Sequence, residues 1–280
     1  MAASEQLKKL VAELPAADGR GMYTAGMDKA KIEKTIAAIH GGGPANVEGL
    51  VDLLGEAGSE ENVKPHYALH CLANHALQVK DEKARRGLCE TLAKQLTSNR
   101  SQSIKAYLCQ ELGWAGREEA LAPLGALLTD DSLCVPAAMA LVGIRKGAAE
   151  QFRLAWPKAK GSARRHIMDG LAELAEAKSL SVLTEGLKDD DREVRIAAAA
   201  GLANIGDPTA VELLVAADKA PVGWERTQMA SNHLKLAEHL AASGKQSDAT
   251  RVYKHLQKSR TDATEKYLRD AAERGLKALA

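Results

Sequence analysis

Apolar residues recur along much of this chain with the spacing of an α-helix. In the stretch 191–214 they fall at Val194, Ala198, Leu202 and Ile205, which are positions i, i+4, i+8 and i+11. Residues with this spacing lie on one face of a helix, while the residues between them face elsewhere. The pattern therefore predicts an amphipathic helix that buries one stripe.

The residues after this stripe predict a turn and a second helix. Gly206 ends the first helix, because glycine tolerates the left-handed conformation that a helix C-cap needs. Asp207 can cap the next helix, and Pro208 suits its first position, where no amide donor is required. The second helix then turns three apolar residues inward: Val211, Leu214 and Val215. The unit is a helix–turn–helix pair.

The same pair recurs along the sequence with a period near thirty residues. The leucine that corresponds to Leu202 is found at four earlier places: Leu72, Leu112, Leu141 and Leu171. A helix pair of this size cannot bury its apolar faces alone, so it needs neighbours on both sides. A repeat of this length is typical of a helical solenoid.

The repeat also resembles a known family. The pattern Asp-x-x-Val-Arg-x-x-Ala-Ala-x-x-Leu-x-x-Ile-Gly-Asp-Pro resembles HEAT-like repeats of the type found in bacterial scaffold proteins and phycobilin lyases. Residues 189–219 match it almost completely, and 101–130 and 160–188 match it well. Residues 131–158 and 63–97 match only in outline. The resemblance implies an all-α, right-handed α–α superhelix of about six or seven helical pairs.

The resemblance also implies a role for one basic position. In such repeats the basic residue after the valine joins a ladder of polar contacts between units. Lys105, Arg164 and Arg195 hold this position here, whereas the weaker copies have Cys134 and Pro65. We therefore predict an inter-repeat ladder that is interrupted at two units.

Three parts of the chain are predicted. Residues 1–26 form an N-terminal helix and a linker, residues 27–220 form the repeat array, and residues 221–280 form a helical cap that continues the solenoid. The last helix of the cap has apolar residues on one face and charged residues opposite, as a terminal cap requires.

Composition narrows the function classes. Aromatic residues make up 3% of the chain and the formal net charge is +1, so neither base stacking nor a general attraction to nucleic acid is expected. No apolar run approaches the roughly 18 residues that a membrane helix needs, and membrane insertion is not expected. The N-terminus lacks the features of a signal peptide, which predicts a cytoplasmic protein. If Met1 replaces a native signal peptide, the protein is extracytoplasmic instead.

Candidate chemistry is sparse. His66 and His70 lie four residues apart on one predicted helix face and could hold a metal ion, although a structural role accounts for them as well. The four cysteines are expected to be small buried thiols, since none forms a Cys-x-x-Cys pair. No phosphate loop, nucleophile elbow or His-Glu metal motif is present. The sequence predicts no cofactor and no catalytic residue, and enzymatic activity stays open.

A run of basic residues extends from Arg145 to Arg165. It is either an ordinary solvated surface or a docking surface for an acidic partner. Arg164 lies within it but is assigned to the ladder. The candidate docking residues are Arg145, Lys146, Arg153, Lys158, Lys160 and Arg165.

The predicted function is a non-catalytic scaffold or adaptor for protein–protein interaction, through a concave surface lined by the second helices. The partner is another protein, and the sequence identifies neither that protein nor the oligomeric state. One alternative is a lyase-like or chaperone-like protein that handles a chromophore or other cofactor. Another is an accessory module of a bacterial extracytoplasmic redox system. Specific function is expected where the repeat pattern breaks: the histidine-containing helix 64–79, the basic stretch 145–165 and the C-terminal helices.

Overall fold

The structure is a computed structural model that describes residues 3–16, 27–56 and 62–279. Most of the linker predicted before residue 27 lies outside the described residues. Within these ranges the chain is helical and contains no β-strand, so the all-α prediction is confirmed. The helices are α1 (Glu5–Ala12), α2 (Lys29–Gly41), α3 (Gly43–Leu53), α4 (Val63–Gln78), α5 (Glu82–Gln95), α6 (Gln102–Ala115), α7 (Glu118–Gly125), α8 (Cys134–Ile144), α9 (Ala148–Ala155), α10 (Gly161–Leu174), α11 (Leu180–Gly186), α12 (Arg192–Ile205), α13 (Ala210–Ala217), α14 (Trp224–Ala242), α15 (Gln246–Ser259) and α16 (Lys266–Leu279).

Helices α2 to α15 follow one another as seven helix–turn–helix pairs in the described part of the chain. This agrees with the expected six or seven pairs. None of these helices combines the length and the apolar character that crossing a membrane requires.

Contacts divide the chain into two compact units, 1–151 and 152–280, with the boundary inside α9. We call them unit 1 and unit 2. The sequence analysis places no boundary there, and its three-part division stays a prediction.

In unit 1 the helices form two layers. The first helices of successive pairs, α2, α4, α6 and α8, pack one against the next, and α3, α5 and α7 form the other layer. The anchor leucines Leu72, Leu112 and Leu141 are at most 1% exposed. Stacking of neighbouring pairs therefore buries the stripe that one pair alone leaves open.

Unit 2 repeats this arrangement. Helices α10, α12 and α14 pack in succession, α14 packs on α15, and α15 packs on the terminal α16. Leu171 and Leu202 are fully buried. Phe152 and Trp156, one helical turn apart, are also buried and share the core, as their spacing predicts.

The turn after α12 corrects one detail of the sequence analysis. Gly206 has φ of 67°, the left-handed conformation expected of a glycine C-cap. However, α13 begins at Ala210, so Pro208 lies in the turn and not at the first helical position. Asp207 Oδ1 accepts hydrogen bonds from the backbone N–H and the hydroxyl of Thr209, at 2.8 and 2.6 Å, and thereby closes the turn.

Small residues bring α6 and α8 unusually close. A Cβ on Gly113 would lie 2.8 Å from the Cα of Ala140, and one on Gly143 would lie 2.9 Å from the carbonyl oxygen of Gly113. The neighbours of these small residues, Trp114 and Met139, are largely exposed, at 59% and 71%. The tight crossing thus carries two large apolar side chains on its surface.

Candidate binding groove

A cavity of about 560 Å³ lies on the first-helix layer of unit 1, over α6 and between α4 and α8. We call it the α6 groove. The predicted partner surface lies on the second helices, whereas this groove is formed by first helices. It is lined by His66, His70, Ser103, Ala106, Tyr107, Gln110, Glu111, Gly113, Trp114, Pro136, Met139 and Ala140.

The α8 wall of the groove is apolar. From Cys134 to Ile144 this helix has no charged, amide or hydroxyl side chain. Its core face is buried, but Val135 is 41% exposed and Met139 is 71% exposed. Apolar side chains that cluster at a surface in this way are typical of a binding site.

The floor of the groove holds a buried carboxylate. Glu111 on α6 is fully buried, and His70 Nδ1 on α4 lies 3.1 and 3.2 Å from its two oxygens. Burial raises the pKa of Glu111, while the charge and the hydrogen bond of His70 act in the opposite direction. The pair joins residues 41 positions apart.

Tyr107 and His66 form a second polar pair beside it. The Tyr107 hydroxyl donates to the backbone oxygen of His66 at 2.7 Å, and the two rings lie 3.9 Å apart. Burial lowers the pKa of His66, because the charged imidazolium loses solvation there. Its Nε2 is buried and has no hydrogen-bond partner among the described residues.

Trp114 forms the rim of the groove. Its indole N–H donates to Asn74 Oδ1 at 2.9 Å, which ties α6 to α4 and fixes the ring. The same tryptophan and Gly113 also line a second cavity, of about 730 Å³, near the ends of α6 and α8. Trp114 therefore stands between two cavities of unit 1, and it joins neighbouring repeats as its position beside the turn suggests.

The predicted histidine pair lines this groove, but neither histidine belongs to a group of three metal-ligand side chains formed by residues that the structure describes. Among the described residues one such group is found, in unit 2: Asp218, His233 and His255, with ligand atoms within 4.8 Å of one another. The sequence analysis does not single out this group. Whether His66 and His70 bind a metal stays an open prediction.

The unit 2 group is dominated by an ion pair. Arg260 Nη1 and Nη2 donate to the two Asp218 oxygens at 2.7 and 2.8 Å, and both side chains are fully buried. His255 Nε2 lies 2.8 Å from the same carboxylate. His233 Nδ1 donates to the Met229 carbonyl oxygen at 2.8 Å, and its Nε2 has no partner in the described part of the chain.

This arrangement does not fit a divalent cation. The guanidinium of Arg260 already contacts both oxygens of Asp218, so a metal ion would add two positive charges beside a buried cation. The hydrogen bonds to His255 and Arg260 overcome the burial of Asp218 and hold its pKa well below the ordinary value. We call these four residues the Asp218–Arg260 cluster and assign it a structural role in joining the end of α13, where Asp218 lies, to α15 and its last residues.

The ladder residues have different surroundings. Arg164 Nε donates to Asp189 at 2.8 Å, and its guanidinium lies 3.8 Å over the Trp156 ring. Arg195 donates to both oxygens of Glu225, at 2.7 and 2.8 Å. The side-chain ammonium of Lys105 makes no hydrogen bond or ion pair with any described residue. The interrupted ladder stays a prediction.

The candidate docking residues are divided between the units, with Arg145 and Lys146 in unit 1 and the others in unit 2. Arg153 donates to Ser179 at 3.0 Å and to Glu176 at 3.3 Å. Arg165 lies 3.7 Å from Asp169 on the next turn of α10. Part of the positive charge is therefore balanced locally. A basic docking surface stays a prediction.

Comparison with known sequences identifies one segment. Residues 157–232 match the sequence profile of HEAT repeats, so the resemblance to HEAT-like repeats is confirmed over that segment. The phycobilin-lyase type is not supported by any comparison. No curated protein matches this sequence.

Solved structures of similar topology are remote. The karyopherin Kap121p bound to RanGTP is 13% identical with a TM-score of 0.47, over 98% of this chain and 36% of its own. Kap121p bound to Pho4p is 12% identical with a TM-score of 0.46, and the match covers 98% of this chain and 36% of that one. A chain from a structure on the interaction between cadherin and β-catenin is 13% identical with a TM-score of 0.43, and the match covers 97% of this chain and 63% of that one. This chain thus spans about a third of the karyopherin's length, and the likeness indicates no shared function.

Proposed function

We propose that this protein is a non-catalytic scaffold for protein–protein interaction, and that a segment of its partner binds in the α6 groove. The observation that carries the proposal is the exposure of Trp114 and Met139 around a concave, largely apolar surface. Buried aromatic and methionine side chains supply much of the binding energy at protein interfaces. HEAT repeats present such surfaces on a rigid array, although the fold itself does not determine the function.

Two features prepare the groove for binding before a partner arrives. The hydrogen bond to Asn74 holds the Trp114 ring, and the close crossing at Gly113 and Ala140 fixes α6 against α8. A wall that is already ordered loses little conformational entropy on binding. The groove is therefore suited to recognise one short segment.

Affinity enrichment from a cell lysate, followed by mass spectrometry, tests this proposal. We expect wild-type protein to retain a partner that the double variant Trp114→Ala, Met139→Ser does not retain. Val222→Ser serves as the control, because Val222 is 57% exposed but lies in unit 2. Equal recovery by wild type and the double variant would exclude the α6 groove as the interface.

A cofactor-handling protein is the second candidate, and one observation favours it. The groove volume of about 560 Å³ is within the range of small-molecule sites, about 300–1,000 Å³, and His70, Tyr107 and Glu111 converge on it. Absorbance spectra and native mass spectrometry of the purified protein separate the two functions. A bound chromophore or cofactor that Trp114→Ala releases would favour this second function. Among the described residues we find no contact that favours the alternative of an accessory module in a redox system.

A further inference from the structure

We infer that the α6 groove binds a basic side chain of its partner, a lysine or arginine flanked by apolar residues. The inference rests on the proposed scaffold function and gives the partner's chemistry. It follows from the hydrogen-bonding groups of the floor, the charges of the lining and the shape of the walls.

The floor has room for hydrogen-bond donors. The two oxygens of Glu111 together have about four lone pairs, and their neighbours are His70 Nδ1, at 3.1 and 3.2 Å, and the hydroxyl of Tyr107. The Tyr107 oxygen, whose proton is directed to the His66 carbonyl, can accept a further hydrogen bond. An ammonium or guanidinium group has several N–H donors and no acceptor, so it complements this floor.

The charged groups in and beside the groove are mainly carboxylates, and His70 is a cation only when it is protonated. Of the residues that line it, Glu111 is a carboxylate and none is lysine or arginine. A second carboxylate stands at one end, where Glu56 accepts a hydrogen bond at 2.9 Å from the lining residue Ser103. Apolar walls keep the dielectric low around the buried Glu111, which strengthens its attraction for a cation, whereas the exposed Glu56 adds a weaker attraction.

The walls fit the rest of a basic residue. Lysine and arginine have long aliphatic stems that pack on apolar surface while the charged head reaches a polar site. Met139 and Trp114 offer such a surface, and an indole ring also attracts a cation over its face. His70 covers Glu111 with a side chain that is 46% exposed. In this binding mode the incoming head group displaces the imidazole of His70 and takes its place beside the carboxylate.

A displayed library of short random peptides, selected on the full chain, tests the inference. We expect the enriched peptides to carry lysine or arginine beside aliphatic or aromatic residues. Replacing that basic residue with norleucine keeps the stem and removes the charge. This change is expected to weaken binding, measured by fluorescence anisotropy, by about ten- to a hundredfold. The change is made in the peptide, so it leaves the fold of the protein unaltered.

Two protein variants complete the test. Glu111→Gln is expected to weaken binding of the basic peptide by a similar factor and to leave the affinity for the norleucine peptide unchanged. Glu90→Gln is the matched control, because Glu90 is exposed on α5 and is not part of the groove. It is expected to change neither affinity.

The outcomes separate the inference from the proposed function. Peptides that require Trp114 but bind equally well with norleucine would overturn the inference and leave the scaffold function standing. Peptides that are unaffected by Trp114→Ala, or an absence of enriched peptides, would overturn both. Self-association of the chain that Met139→Ser abolishes would assign the groove to a second copy and likewise overturn the inference.

Discussion

Replacing Arg260 is expected to give the largest single loss of stability among the variants discussed here. The side chains of Arg260 and Asp218 are both fully buried and lie 2.7 Å apart. Arg260→Met keeps the length of the side chain and removes its charge, so Asp218 is left buried with His255 as its remaining partner. Removing one partner of a buried ion pair typically lowers the free energy of unfolding by about 3–5 kcal/mol.

Arg251→Met in the same unit is the matched control. Arg251 lies on α15 and pairs with Asp248 and Glu212, but its side chain is 52% exposed. Solvent screens such pairs, and their loss changes the free energy of unfolding by at most about 1 kcal/mol. The two variants make the same chemical change and differ in burial.

Urea unfolding followed by circular dichroism measures the loss, and hydrogen exchange with mass spectrometry locates it. We expect faster exchange in α14, α15 and α16 for Arg260→Met, because each repeat is stabilised chiefly by its neighbours. In a double variant, Arg260→Met with Asp218→Asn, the free energy of unfolding should decrease by less than the sum of the decreases in the two single variants. Equal urea midpoints for Arg260→Met and Arg251→Met would refute the assignment of a stabilising role to the buried pair.

Three further predictions concern the same structure. Burial lowers the pKa of His233 to about 4, below the ordinary value of 6.5. Between these two pH values the unfolded chain binds more protons than the folded one, so stability falls as the pH falls. We expect the wild-type urea midpoint to decrease from pH 7 to pH 4.5, and to decrease less in His233→Asn. Gly113→Ala places a Cβ 2.8 Å from the Ala140 Cα and should lower the free energy of unfolding by about 1–3 kcal/mol. Gly87→Ala, at a helical position where a Cβ has no neighbour within 4 Å, should raise it by up to about 1 kcal/mol. A change of the free energy of unfolding in the same direction for both variants would contradict the close helix crossing. Arg195→Met removes the contact to Glu225 and should lower the thermal midpoint, while Lys105→Met should leave it unchanged; equal shifts would show that the ladder position stabilises both repeats alike.

The helix pairs could be predicted because their signals are local. The stripe that contains Val194, Ala198 and Leu202 is buried as its spacing requires, and Gly206 has the left-handed conformation of a C-cap. Helical periodicity and capping depend on residues within one or two turns. The position of Pro208 was predicted wrongly because a proline fits the turn before a helix as well as its first residue.

The sites could be predicted only in part because they form between helices. The histidine helix 64–79 was identified as a break in the repeat pattern, but its acidic partner Glu111 comes from α6, 41 residues beyond His70. Asp218 and Arg260 are 42 residues apart, and neither lies in a motif. A single sequence with a period near thirty does not indicate which polar residues of successive repeats meet. Packing brings these residues together.

The position of Trp114 between two cavities has a consequence for regulation. One indole ring is a wall of both the α6 groove and the neighbouring 730 Å³ cavity. A molecule that turns this ring must break its hydrogen bond to Asn74, and the ring then widens one cavity and narrows the other. Two ligands that require different orientations of the ring therefore compete without touching each other. Two ligands that require the same orientation assist each other.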